Sequence, residues 1–68
     1  MASIAKVIEI SAESPDSFED AIQDGVKRAS STVENIKGVW VNEMKADVEN
    51  DEIHTYRVNM KVTFLVSH

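Results

Sequence analysis

The sequence predicts an α+β fold in the order β-α-β-β: a three-stranded antiparallel sheet wrapped on one amphipathic helix. Three observations predict it. Over 53–66 the chain alternates, with Tyr56, Val58, Met60, Val62, Phe64 and Val66 apolar and Thr55, Arg57, Asn59, Lys61 and Thr63 polar. Successive side chains of a strand point to opposite faces, so this is a long strand with one apolar side. Phe18, Ala21, Ile22, Val26, Ala29 and Val33 recur at helical spacing. The link Glu49-Asn50-Asp51-Glu52 is polar and short. It can close an antiparallel hairpin but cannot make a parallel crossover.

Each element has its own local signal. Over 3–10, Ile4, Lys6, Ile8 and Ile10 alternate with Ala5, Val7 and Glu9, which reads as a first strand. Ser14-Pro15-Asp16-Ser17 reads as a helix start, with Ser14 as N-cap and Pro15 in the first turn. Asp16, Glu19 and Asp20 fall early, and Lys27 and Arg28 late, as the helix dipole favours. The helix is placed at 15–33. Gly25 inside it costs roughly 1 kcal/mol relative to Ala. Close approach to the sheet or a neighbour is the plain explanation, and a ligand role the alternative.

Residues 35–49 read as the second strand. Ile36, Gly38, Trp40, Asn42, Met44, Ala46 and Val48 form one face, and Lys37, Val39, Val41, Glu43, Lys45, Asp47 and Glu49 the other. The apolar signal changes face near Val41, which a bulge or two-sided burial would explain. The sheet face away from the helix then carries Trp40 or Val39 and Val41, together with the polar groups of the last strand.

Sixty-eight residues make a single domain, 1–68. A chain this short is marginal alone and usually needs a disulfide, a metal or oligomerisation. There is no Cys, and His54 and His68 are the only histidines and lack ligand spacing, which leaves self-association. Twelve acidic against seven basic residues give a net charge of −5, which argues against nucleic acid and permits cations. No apolar run approaches the roughly 20 residues of a membrane span. Lys6 interrupts the early apolar stretch, so no signal peptide is expected and the cytoplasm is the expected location. No Cys nucleophile, serine elbow, phosphate-cradling glycine loop or HExxH is present, and no enzyme activity is expected.

Three segments carry a family likeness: S-P-D-S-F-E-D-A-I opening the helix, A-I-Q-D-G-V-K-R-A within it, and T-Y-R-V-N-M-K-V-T-F in the last strand. Together with the element order, they make the chain from about 7 to 65 resemble the dodecins. The resemblance implies a hollow homododecamer with small-molecule sites between subunits. It also implies a flavin ligand, riboflavin or FMN, stored or quenched rather than used in catalysis. In that family a Trp early in the second strand stacks on the flavin ring, and a Gln in the last strand, just after an aromatic, bonds its polar edge.

This sequence departs from both positions. Ungapped, Ile36 takes the aliphatic position before the stacking residue and Gly38 takes the Trp position. Arg57, after Tyr56, takes the Gln position. Trp40 lies two residues late, on the same strand face and about 7 Å along. A hairpin two residues shorter would restore its register, but the ungapped match is simpler. The chain thus looks closer to the branch that lacks the flavin pair, part of which is associated with calcium.

The candidate ligand-binding residues are therefore Gly38, Trp40, Glu43 and Arg57. Trp40 could stack on a ligand or fill a subunit interface. Arg57 could hold a phosphate, which suits a phosphorylated flat ligand, or form an intersubunit salt bridge. Glu43 aligns with an acidic position near the family's ligand and ion sites. Asp47, Glu49 and Asp51 are hard oxygen donors suited to Ca²⁺ or Mg²⁺. They lack EF-hand spacing, and a solvated hairpin tip is the plain alternative.

Overall fold

The strand order in the sheet is β1-β3-β2, with both pairings antiparallel. The structure, a computed structural model, describes residues 3–66; His68 lies outside them. The elements are β1 (Ala5–Ser14), α1 (Phe18–Ala29), β2 (Ile36–Glu49) and β3 (Glu52–Leu65). The most regular alternation in the sequence thus occupies the central strand, where both sides matter. Val58, Met60 and Val62 are fully buried beneath the helix.

Helix α1 packs over β1 and β3. Its inner stripe is Ala21, Gly25 and Ala29, all buried, flanked by Phe18 and Ile22 against the core. Small residues let the helix backbone sit close to the sheet. A Cβ built on Gly25 would lie 2.3 Å from Met60 Cε and 3.2 Å from Ala12 Cβ. Close approach therefore explains this glycine. At the N-terminal end of α1, Phe18 meets Tyr56 edge-to-face, with ring centroids 5.0 Å apart.

The helix is shorter than the predicted 15–33, and its N-cap is Ser17 rather than Ser14. Ser17 Oγ accepts the Asp20 N–H at 2.9 Å. Ser14 is instead the last residue of β1, only 2% exposed. Its hydroxyl accepts from the Asp16 and Ser17 N–H groups and donates to Asp20 Oδ2 at 2.7 Å. One buried hydroxyl thereby holds the strand-to-helix corner, with Pro15 in the corner instead of the first turn. Ser14→Ala strands those partners and is expected to cost about 1–3 kcal/mol, read as a lowered melting midpoint.

Strand β1 runs four residues past the predicted end at Ile10. Residues 11–14 lack an apolar pattern but continue the ladder, from Ser11 opposite Asn59 to Ser14 opposite Tyr56. After α1, Asn35 takes a positive φ of 63° and turns the chain into β2. The expected polar hairpin turn is present: Asn50 and Asp51 have φ of 53° and 63°. Two successive left-handed residues match the twist of the flanking strands.

The expected change of face in β2 is a bulge. Val41 pairs with Met60, and the next pair is Glu43 with Asn59, so Asn42 is the extra residue. Val39 and Val41 before it, and Met44 and Ala46 after it, consequently share the helix side of the sheet, opposite Val62, Met60, Val58 and Tyr56. Trp40, Glu43, Lys45 and Asp47 share the other side.

Candidate functional site

The helix-free face of the sheet can be read in rows across β1, β3 and β2, because residues paired directly across strands share a face. From one end the rows are Val7–Thr63–Gly38, Glu9–Lys61–Trp40, Ser11–Asn59–Glu43 and Glu13–Arg57–Lys45. Asp47 follows, opposite Thr55. All four candidate ligand residues, Gly38, Trp40, Glu43 and Arg57, therefore lie on this one face.

Trp40 is 72% exposed, the most of any large hydrophobic residue among those described. Gly38 lies one step along the same face, and a Cβ placed there would meet nothing within 4 Å. The pair forms an open aromatic shelf. Beside it, Ser11, Glu43, Met44, Lys45, Arg57 and Asn59 line a pocket of about 210 Å³. Glu43 and Arg57 are thus brought together, and Trp40 lies one row from Glu43 and two from Arg57.

Arg57 is occupied by its own chain. Its Nε donates to Glu13 Oε1 at 2.8 Å, and a terminal nitrogen lies 2.6 Å from the same oxygen and 3.2 Å from Asp47 Oδ2. The sequence points to an intersubunit salt bridge, whereas these ionic partners of Arg57 are on the two neighbouring strands of its own sheet, and the guanidinium ties all three strands together. The groups are 35–53% exposed, so solvent screens the pairing and its worth is modest.

Sequence reasoning missed the amides. Asn42 Nδ2 donates to Asn59 Oδ1 at 2.9 Å, and Asn59 Nδ2 donates to Ser11 Oγ at 3.2 Å. This polar ladder spans the sheet next to Trp40. The change of apolar face near Val41 was its one sequence signal, because the bulge behind that change turns Asn42 to this side.

The acidic candidates are not brought together. Asp47 pairs with Arg57 and Lys45, Glu49 lies 4.0 Å from His54, and Asp51 sits in the hairpin turn. Among the described residues, no group of three or more His, Cys, Asp or Glu within one chain is placed to hold a metal ion. No helix among the described residues is long and apolar enough to cross a membrane. A larger hollow, about 440 Å³, lies between β1 and α1 and is lined by Ile8, Ile10, Ala12 and Gly25, with Asp24 and Arg28 at its rim. None of the candidate residues lines it.

A family model described as Dodecin matches residues 4–67. Calcium dodecin of Mycobacterium tuberculosis is 37% identical over 62 residues, covering 91% of this chain and 87% of that protein. Among solved structures, dodecin from Streptomyces davaonensis superposes with a TM-score of 0.94 at 29% identity, covering 100% of both chains. The calcium chelating immunodominant antigen of Mycobacterium tuberculosis, a calcium dodecin with a novel calcium-binding site, gives 0.82 at 35% identity, covering 96% of this chain and 93% of that one.

Proposed function

The chain belongs to the dodecin family, and from that premise we propose that it is a non-catalytic binding and storage protein of the cytoplasm. It assembles as a hollow homododecamer and holds a flavin of the riboflavin or FMN type, or another flat ligand, in the seams between subunits. Trp40 carries the reading. An indole offers a large, rigid apolar face, and aromatic rings stack on it with little entropic cost. Here that face stands in solvent, with open space over Gly38 beside it. A stacked ring, backed by the same surface of a second copy, would cover it.

The experiment joins a size measurement to a visible spectrum and a flavin titration. The expected result is a particle of twelve chains that quenches added riboflavin fluorescence. A folded single chain persisting at high dilution would remove the seams, and with them the proposal.

A second reading has its own support: the shell binds Ca²⁺, or Mg²⁺, and no flavin. It is favoured by the 37% identical calcium dodecin and by Glu13, Glu43 and Asp47 on the helix-free face. Among the described residues one chain brings too few oxygens together, so carboxylates from several copies would have to meet around a symmetry axis. Colourless protein that leaves riboflavin fluorescence unchanged, and melts several degrees higher in calcium, selects this reading.

A further inference from the structure

We infer that the Asn42–Asn59 amide pair, not Arg57, reads the polar edge of the ligand, and that the site selects an uncharged flat heterocycle over its phosphorylated form. The inference rests on the reading that a flat ring stacks on Trp40, and names which ring chemistry that stack accepts.

Position comes first. Trp40 is opposite Lys61, and Asn59 is two residues from Lys61 on the same face of β3. The diagonal between neighbouring strands is about 7–8 Å, within reach of one ring system lying on the indole. Asn42 is closer still along β2, turned to this side by the bulge and held to Asn59.

Hydrogen-bonding capacity comes second. Each primary amide has two N–H donors and a carbonyl with two lone pairs. The ladder uses one donor of Asn42, one donor of Asn59 and one lone pair of the Asn59 carbonyl. Among the described residues, one N–H on each side chain and the Asn42 carbonyl have no further partner, at an exposed surface. That set offers donor and acceptor side by side, which complements a ring edge with adjacent N–H and C=O groups, as in an imide or a pyrimidine-type ring. The ladder also fixes both side chains before any ligand arrives, so little ordering remains to be done on binding.

Charge comes third. A phosphate needs an uncommitted cation, and the Arg57 fork already faces Glu13 and Asp47. Lys61 is opposite Glu9, and Lys45 lies 3.7 Å from Asp47. Counting Glu43, the carboxylates on this face outnumber the cations, and an added dianion is repelled.

Riboflavin and FMN share one ring and differ by the phosphate, so they are the probes. Quenching of their own fluorescence is titrated against the intact assembly. Riboflavin is expected to bind about tenfold more tightly than FMN. Asn42→Ala and Asn59→Ala are each expected to weaken riboflavin about 3- to 10-fold, the range of one hydrogen bond. Arg57→Ala should lower the melting temperature by a few degrees and leave riboflavin the tighter of the two ligands. Tighter binding of FMN than of riboflavin, lost in Arg57→Ala, overturns the inference; this ratio in the unsubstituted protein needs no variant to fold. Unchanged affinity in both Asn variants, with loss in Trp40→Ala, also overturns it and leaves the stacking intact. No quenching at all, or affinity unchanged in Trp40→Ala, sinks the stacking reading itself.

Discussion

Met60→Ala is expected to cost about 2–5 kcal/mol, the largest loss from any single shortening in this chain. Met60 is fully buried at the middle of the central strand, opposite Ile10 of β1 and Val41 of β2, with Gly25 of α1 above it. It is the largest of the fully buried side chains. Removing it opens a void that touches both neighbouring strands and the helix, and a sheet pinned by two ladders cannot collapse to fill it. Small domains have about 0.05–0.15 kcal/mol of stability per residue, so the loss rivals the whole stability of one chain. In urea the midpoint should fall sharply with little change in slope. A thermal midpoint within a few degrees of the parent would show that Met60 is not the centre of the core.

Gly25 carries the second large effect, with a sign that depends on Met60. Gly25→Val places two methyl groups where even a Cβ would be 2.3 Å from Met60 Cε and 3.2 Å from Ala12 Cβ. The cost is about 3 kcal/mol, at the upper end for overpacking. Gly25→Ala adds one carbon and gains roughly 1 kcal/mol of helix propensity, so its net loss is smaller, about 1–2 kcal/mol. In the Met60→Ala background the nearest obstruction is gone, and Gly25→Ala should become stabilising. Four melting curves complete the cycle. Additive effects would mean that the Met60 side chain is not what a residue larger than Gly25 meets.

The elements were legible where periodicity carried them. The alternation of β3 and the stripe from Phe18 to Ala29 each follow from a face that had to be covered. The corner at 11–17 was not legible, because two serines three residues apart both suit a helix cap. Burial decided between them: Ser14 has Asp20 as an acceptor, so its hydroxyl serves the corner and Ser17 caps. The helix also stops before Val33 although the apolar spacing continues. Ser30 and Ser31 donate their hydroxyls to the carbonyls of Lys27 and Arg28, and side-chain bonding of that kind competes with the helical ladder.

For the site, the residue types were legible and their company was not. Trp40 stands out in any reading of the sequence, but the bulge decides which side of the sheet it faces. Arg57 stands out too, yet its partners come from strands far apart in the chain, Glu13 in β1 and Asp47 in β2. Asn42 and Asn59 are unremarkable in sequence and acquire meaning only when register places them in contact.

The surplus residue at Asn42 also changes how variation along β2 should be interpreted. A strand that alternates without interruption ties each surface to one parity of position for its whole length. Here, even-numbered positions from 38 to 42 belong to the helix-free surface, and beyond them the odd-numbered positions 43, 45 and 47 take over. Trp40 and Met44, four residues apart and both even-numbered, therefore lie on opposite faces of the sheet: one away from the helix, the other on the helix side. Two surfaces can drift independently along a single strand because their parities cross at Asn42, and the register shifts again between Ile36 and Gly38 and between Asp47 and Val48.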